Sequence, residues 1–434
     1  MPEKNFEVKD GLLYIGGVSV KKLKEKYKTP LYIYDQKLLK DTVKLFIDKF
    51  KSEMFETEIV YASKSFSNLY VLGLMNSLKT HLDVVSIGEL YSAIKAGFNT
   101  KNIHFHGNNK LYEELEYAIK NNVGSIIIDN PSEYERISEI SKKENKKVNV
   151  LLRINPQINT DTHKYIQTSN ADSKFGMHVL LDETNILIKK LIEDENINFE
   201  GLHAHIGSQV SKGEFYFEEA DILLNYLKSV EEKYNYKFTK VNFGGGFGVE
   251  QKKNDKYLNL ETFLTDFIKY IENKIKELNL NIKSVAIEPG RSISNQSGNM
   301  LYSVGYVKET LEGLPIIFVD GGMSDNIRPA LYDAKYDAFL ANKMNEESTE
   351  HFRVAGKLCE SGDILIKDTK LPKVKINDLL LIPSTGSYTF SMHSRYNRIQ
   401  RPAVVFVEDS KDYLAVKRES LDDILINDNY YKGE

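Results

Sequence analysis

Residues 59–107 read IVYASKSFSNLYVLGLMNSLKTHLDVVSIGELYSAIKAGFNTKNIHFHG, and the rhythm of this stretch decides the fold. Three short runs, IVYAS (59–63), HLDVVS (81–86) and IHFHG (103–107), alternate with the longer segments NLYVLGLMNSL and ELYSAIKAGF. The runs are too short for helices, whereas the segments between them carry apolar residues three and four apart, the period of a half-buried helix. A strand, a helix and a second strand in succession imply parallel pairing through a right-handed crossover.

The same rhythm continues outward. SIIIDN (125–130), VNVLLRINP (148–156), FEGLHAHIG (199–207), KVNFGGG (240–246) and SVAIEPG (284–290) bring the strands to eight, with seven helical segments between them. A further helix is expected at Gln36–Phe50. Eight such units in roughly 250 residues is the count of a closed (β/α)8 TIM-like barrel. An open doubly wound sheet is the alternative that this pattern permits. The rest of the chain reads differently. GLLYIGGVSV (11–20) suggests two short strands around Gly16-Gly17. After residue 296 come NMLYSVGYVKET, LPIIFVDGG, HFRVAGKL, DLLLIPS, AVVFVED and DYLAVKR, divided by Gly, Pro and Asp. The expectation is a barrel over residues 35–290 and a mainly β domain built from residues 1–34 and 291–434, with NKMNEESTEH (342–351) as its solvated loop.

Composition narrows the class of function. Of 434 residues, 41% are hydrophobic and 28% charged, with a formal net charge of −4, so no basic surplus points to nucleic acid or a membrane surface. The opening MPEKNFEVKD is too polar for a signal peptide, and no run approaches the roughly 18 apolar residues of a membrane helix. The single cysteine, Cys359, excludes an internal disulfide and suits a reducing compartment. A soluble, cytoplasmic protein is expected.

Barrels carry their chemistry at the C-terminal ends of the strands, and the unusual residues cluster there. Lys64 follows the first strand, Asp83 lies in the second, and His106 and Asn108 follow the third. Arg153 ends the fifth strand, His205 and Ser208 end the sixth, a glycine run ends the seventh, and Glu288-Pro289-Gly290-Arg291 ends the eighth. One lysine past a strand is ordinarily a solvated charge, and one histidine in a strand is ordinarily structural. Seven strand ends behaving alike are not explained that way. Consecutive glycines at 244–246 let backbone N–H groups approach an anion, although Val249 breaks the dinucleotide fingerprint.

Tyr61-Ala62-Ser63-Lys64, His203-Ala204-His205-Ile206-Gly207-Ser208-Gln209, Gly244-Gly245-Gly246-Phe247-Gly248 and Glu288-Pro289-Gly290-Arg291-Ser292 resemble the alanine-racemase-type (fold type III) pyridoxal-phosphate decarboxylases. Asp320-Gly321-Gly322-Met323, Arg328-Pro329-Ala330-Leu331-Tyr332, Cys359-Glu360-Ser361-Gly362-Asp363 and Gly386-Ser387-Tyr388 narrow the resemblance to the diaminopimelate decarboxylases. The motifs run in order from about Thr29 to Ala403.

The resemblance implies pyridoxal 5'-phosphate as cofactor, held covalently by Lys64, with Glu288 beside the pyridine nitrogen and His205 stacked on the ring. It implies a phosphate cradle of Ser208, Gly246 and the Gly290-Arg291 backbone, with Gly245 and Pro289 also at the cofactor, Tyr388 touching both phosphate and substrate, and Asp83 near Lys64. Arg291, Arg328 and Tyr332 would receive a distal substrate carboxylate, a task suited to a planar guanidinium. Glu360 would receive the distal ammonium, and Cys359 would return a proton to the substrate carbon. The implied activity is decarboxylation of meso-2,6-diaminopimelate to L-lysine by a homodimer with shared active sites; no metal is expected. Decarboxylases of ornithine, arginine or carboxynorspermidine, a racemase, and a non-catalytic binding protein are the competing readings. Arg328 and Glu360 disfavour the first, Glu288 the second, and the presence of both Lys64 and Cys359 the third. Two departures stand out: Ser387 and Thr389 replace the family's alanine and glycine, and residues 397–402 carry extra length.

Overall fold

A computed structural model describes residues 6–158, 173–253 and 255–431. The chain forms two compact units, one of Thr42–Val249 with Lys256–Ile293, the other of Met1–Asp41, Glu250–Asp255 and Ser294–Glu434. The extreme ends of the expected β domain, residues 1–5 and 432–434, lie outside the described residues.

The first unit is built on eight parallel strands: β1 (Glu56–Ala62), β2 (His81–Val84), β3 (Ile103–Phe105), β4 (Ser125–Ile128), β5 (Val148–Asn155), β6 (Ile197–His203), β7 (Lys240–Gly245) and β8 (Ser284–Glu288). Each pairs with the next, β8 pairs with β1 at Ile287↔Ile59, and β4 pairs with β5 at Ile126↔Val150. The sheet is therefore a closed barrel, and the open alternative is excluded. Every residue of β4 and β7 is buried, as expected of strands covered on both faces, which is why they read as continuous apolar runs.

Seven helices follow the strands: α1 (Leu69–Ser77), α2 (Ile87–Lys95), α3 (Tyr112–Lys120), α4 (Pro131–Glu144), α5 (Asp182–Glu193), α6 (Glu214–Tyr234) and α7 (Leu260–Glu277). Their starts are written locally. Asn68, Ser86 and Asn130 each accept a hydrogen bond from the backbone N–H three residues on, and Pro131 takes the first turn of α4. Asn145 and Asn235 end α4 and α6 in the left-handed conformation. Phe263 and Phe267 of α7 pack on Tyr216 and Phe217 of α6, and Phe267 also meets Phe243 of β7 at 5.6 Å between ring centres.

The second unit holds a nine-stranded, mostly antiparallel sheet. Its main path runs Ile364–Leu371, Glu350–Ala355, Ile316–Val319, Gly298–Lys308, Leu31–Asp35, Ala403–Glu408 and Lys411–Val416. Leu13, Ile15, Ile33, Leu301, Leu381 and Val405 form its buried core. Ile364–Leu371 was not expected as a strand: ILIKDTKL mixes charges among its apolar residues because it lies at the edge of the sheet. No helix among the described residues is long and apolar enough to cross a membrane.

Candidate active site

At the mouth of the barrel, β1 ends in a 3-10 turn, Ser63–Ser65, that carries Lys64. The turn is fixed by Ser65 Oγ donating to Ala62 O at 2.8 Å and by the Tyr61 hydroxyl donating to Phe66 O at 2.7 Å. Lys64 Nζ lies 2.5 Å from Asp83 Oδ2, a fully buried carboxylate of β2. Across the mouth, Glu288 Oε1 accepts from Asn242 Nδ2 at 2.8 Å and lies 2.9 Å from His106 Nε2, while Oε2 lies 3.3 Å from His203 Nε2. Burial alone would raise the Glu288 carboxyl, but His106 and His203 outweigh it and hold it well below the usual carboxylate range. Burial pushes His203 down to about 4, so at neutral pH it supports Glu288 as a neutral hydrogen-bond donor. His205 is also held neutral, by burial first and then by the positive charges of Arg153 and Lys64. Its Nδ1 accepts from Gly245 N–H at 3.1 Å, which leaves Nε2 as the protonated nitrogen. Lys64, His106, Asn108, Arg153, His205 and Glu288 face a cavity of about 340 Å³, within the range of small-ligand sites.

The glycine run builds one wall of the mouth. Gly245 sits opposite Glu288 in the β7–β8 ladder, and Gly246 follows at φ +94°. A Cβ on Gly246 would stand 1.8 Å from Gly207 O, so no side chain fits between the β6 and β7 loops. Ser208 Oγ lies 3.4 Å from both Nε and Nη2 of Arg291. Pro289 O accepts from Ala62 N–H, and a Cβ on Gly290 would meet Ala62 Cβ at 2.8 Å, so the Glu288–Arg291 turn sits directly against the Lys64 turn. The barrel unit therefore gathers Lys64, Asp83, His205, Ser208, Gly245, Gly246, Glu288, Pro289, Gly290 and Arg291 at one end.

The β unit carries the remaining candidates in two groups. The Arg328 guanidinium lies over the Tyr332 and Tyr388 rings at 5.2 and 5.9 Å from their centres. Arg328 is buried, and among the described residues no carboxylate pairs with it. Cys359 and Glu360 occupy an exposed loop, with Cys359 N–H donating to Asn397 Oδ1 at 2.8 Å and Cys359 O accepting from the Tyr396 hydroxyl at 3.1 Å. Asn397 opens the segment of extra length, so that insertion braces the Cys359 loop. The other departure is equally accommodated: Ser387 Oγ pairs with Ser294 Oγ at 2.7 Å, and Thr389 Oγ1 donates to Thr385 O at 2.5 Å.

His203 and Asn242, which hold Glu288, were not singled out from sequence. The only signal was proximity, because His203 and Asn242 precede His205 and Gly244 by two residues. The mouth fits pyridoxal phosphate. It offers a primary amine, a buried carboxylate held ionised, a neutral imidazole, and a glycine cradle that any Cβ would fill.

Known proteins agree with this geometry. Residues 40–295 match the family model described as the pyridoxal-binding domain of pyridoxal-dependent decarboxylases. The chain is 42% identical to the diaminopimelate decarboxylase of Bacillus subtilis, over 97% of this chain and 96% of the relative. It is also 42% identical to that of Staphylococcus aureus, over 96% and 98%. The structure of diaminopimelate decarboxylase from M. jannaschii in complex with L-lysine superposes with a TM-score of 0.93 at 33% identity, covering 99% of this chain and 98% of that one. The Helicobacter pylori enzyme complexed with L-lysine gives 0.85 at 31% identity, covering 94% and 98%. With the family model spanning more than half of the chain and these relatives spanning nearly all of it, the chain belongs to the diaminopimelate decarboxylase family of pyridoxal-phosphate-dependent enzymes.

Proposed function

We propose that this protein decarboxylates meso-2,6-diaminopimelate to L-lysine and carbon dioxide, the last step of lysine biosynthesis, as a cytoplasmic homodimer with shared active sites. The observation that carries the reading is Arg328, a buried guanidinium between two tyrosine rings with no carboxylate partner among the described residues. A buried cation without a counter-charge is costly, and a substrate carboxylate would supply one. Ornithine and arginine bring no distal carboxylate.

Bound pyridoxal phosphate supplies the electron sink that makes loss of carbon dioxide from an α-carbon feasible. Lys64 would hold the cofactor through Nζ, with Asp83 steadying the ammonium when the amine is released. Glu288, kept ionised by its hydrogen-bond partners, would hold a proton on the pyridine nitrogen. His205, neutral, would lie on the ring face, while Ser208, Gly245, Gly246, Pro289, Gly290 and Arg291 would cradle the phosphate together with Tyr388. Arg291, Arg328 and Tyr332 would orient the distal carboxylate, Glu360 the distal ammonium, and Cys359 would return the proton to the carbon that lost carbon dioxide. The exposure of the Cys359–Gly362 loop supports a role outside its own subunit, with residues 1–34 and 291–434 supplying substrate and dimer contacts.

The test is a substrate comparison. The reading expects turnover of meso-diaminopimelate and, for L-ornithine and L-lysine, kcat/KM lower by on the order of a thousandfold, because each leaves Arg328 unpaired. Comparable turnover of ornithine would move the protein to the polyamine branch.

A further inference from the structure

In the barrel interior, beneath the mouth, three side chains from consecutive strands converge, and one of them, His104, also lies close to His106 and Glu288. Glu58 lies on β1, His81 opens β2, and His104 is on β3. Glu58 Oε2 stands 3.4 Å from His81 Nδ1 and 3.1 Å from His104 Nε2, and the two nitrogens stand 3.3 Å from one another. Ligands around a tetrahedral zinc ion, with bonds of about 2.0–2.1 Å, are separated by roughly 3.3 Å, so this triangle has the edge lengths of one face of such a site. Two imidazoles and a carboxylate are also the donors that zinc prefers. Glu58 and His104 are buried and His81 nearly so. Burial holds His104 down at about 4 and lowers His81, so both present neutral imidazoles at neutral pH.

The charge count leaves room for a cation. Glu58 Oε2 is paired with Lys240 Nζ at 2.7 Å, and Glu200, half-buried nearby, feels the same ammonium. Two carboxylates thus share one lysine. Lys240 pairs with Gly201 in the β6–β7 ladder, next to Glu200, so its long side chain has a second carboxylate within reach when a metal takes its place at Glu58. Ser284 Oγ donates to Glu58 Oε1 at 2.5 Å and orients the carboxylate with Oε2 facing the imidazoles.

We infer that Glu58, His81 and His104 bind one zinc-class divalent cation, with water as the fourth ligand and Lys240 shifting, still protonated, to Glu200. The ion staples β1, β2 and β3 in the barrel interior below the mouth and supplies no group to the reaction.

The experiment titrates Co2+ into chelator-treated holoenzyme, read by visible spectroscopy, and then displaces it with Zn2+. One Co2+ per chain with the d–d bands of a tetrahedral ion is expected, and Zn2+ should raise the melting temperature. His81→Ala should abolish the bands and the thermal shift while its cofactor absorbance and its decarboxylation stay at wild-type levels. Glu58→Gln should weaken binding at least tenfold, and His106→Asn, at the mouth, should leave binding unchanged. A wild-type protein that gives no tetrahedral spectrum overturns the inference, and this outcome needs no variant to fold. So does binding that survives His81→Ala, or that disappears in His106→Asn, since the ion would then sit at the mouth.

Discussion

Replacing Arg328 by methionine should separate a recognition role from a structural one. Arg328 is 5% exposed, and its guanidinium lies over the Tyr332 and Tyr388 rings and has no carboxylate partner among the described residues. If it receives the distal carboxylate through two charge-assisted hydrogen bonds, the variant loses about 3–5 kcal/mol of transition-state binding. At about 1.4 kcal/mol per factor of ten, kcat/KM for meso-diaminopimelate should fall by roughly a hundredfold to a few thousandfold. Stability should move little. Two cation–π contacts of about 0.5–1 kcal/mol each are lost, and a buried unpaired charge is removed, and these effects oppose one another. Unfolding free energy should therefore stay within about 1 kcal/mol of the parent value. Steady-state lysine formation and urea unfolding, measured on one holoenzyme preparation, test both halves. A change in kcat/KM below tenfold refutes the carboxylate assignment. A loss of several kcal/mol in stability would instead make Arg328 a structural residue.

Two further outcomes are expected. Glu219, on the buried face of α6, has neither carboxylate oxygen bonded to any described residue, and burial first, then the charge of Glu288, holds its carboxyl well above the ordinary range. The folded state therefore keeps a proton that the unfolded chain releases, and stability falls as pH rises above the unfolded value. Glu219→Gln cannot ionise, so its stability advantage should widen with pH by up to about 1.4 kcal/mol per unit above pH 4.5, read by urea unfolding between pH 5 and 8. A constant gap would show that Glu219 is not protonated in the fold. For the shared site, Lys64→Ala and Cys359→Ala proteins mixed with verified subunit exchange should recover about a quarter of wild-type activity, because half of the dimers then hold one intact site. No recovery would place both residues in one subunit's site.

The barrel was legible in the sequence because its strands are covered on both faces and its helices are not, so one period gives way to another at each boundary. The edge strand Ile364–Leu371 escaped for the opposite reason: Lys367, Asp368 and Lys370 face water, and its apolar residues make no regular period. At the mouth, Lys64, Asp83, His205 and Glu288 could be singled out because each stands at a strand end, where a charge or imidazole is unusual. Asn242 lies inside β7 and His203 closes β6, and their importance comes from a carboxylate more than 40 residues away in sequence. Glu58, His81 and His104 were hidden in the same way, since each is unremarkable in its own strand and only the lateral pairing of three consecutive strands brings them together. The extra length at Asn397 looked like a local irregularity, and its hydrogen bond to Cys359 N–H became visible only in three dimensions.

The central claim is decarboxylation of meso-diaminopimelate with the cofactor held on Lys64, and it is tested most directly by measuring both products. Purified protein loaded with pyridoxal phosphate should convert meso-diaminopimelate to L-lysine and carbon dioxide in equal amounts. The Lys64→Ala protein, which keeps the phosphate cradle, should retain some cofactor and form neither product at a measurable rate. Loaded wild-type protein that releases no lysine, or a Lys64→Ala protein that turns over like wild type, would contradict the account.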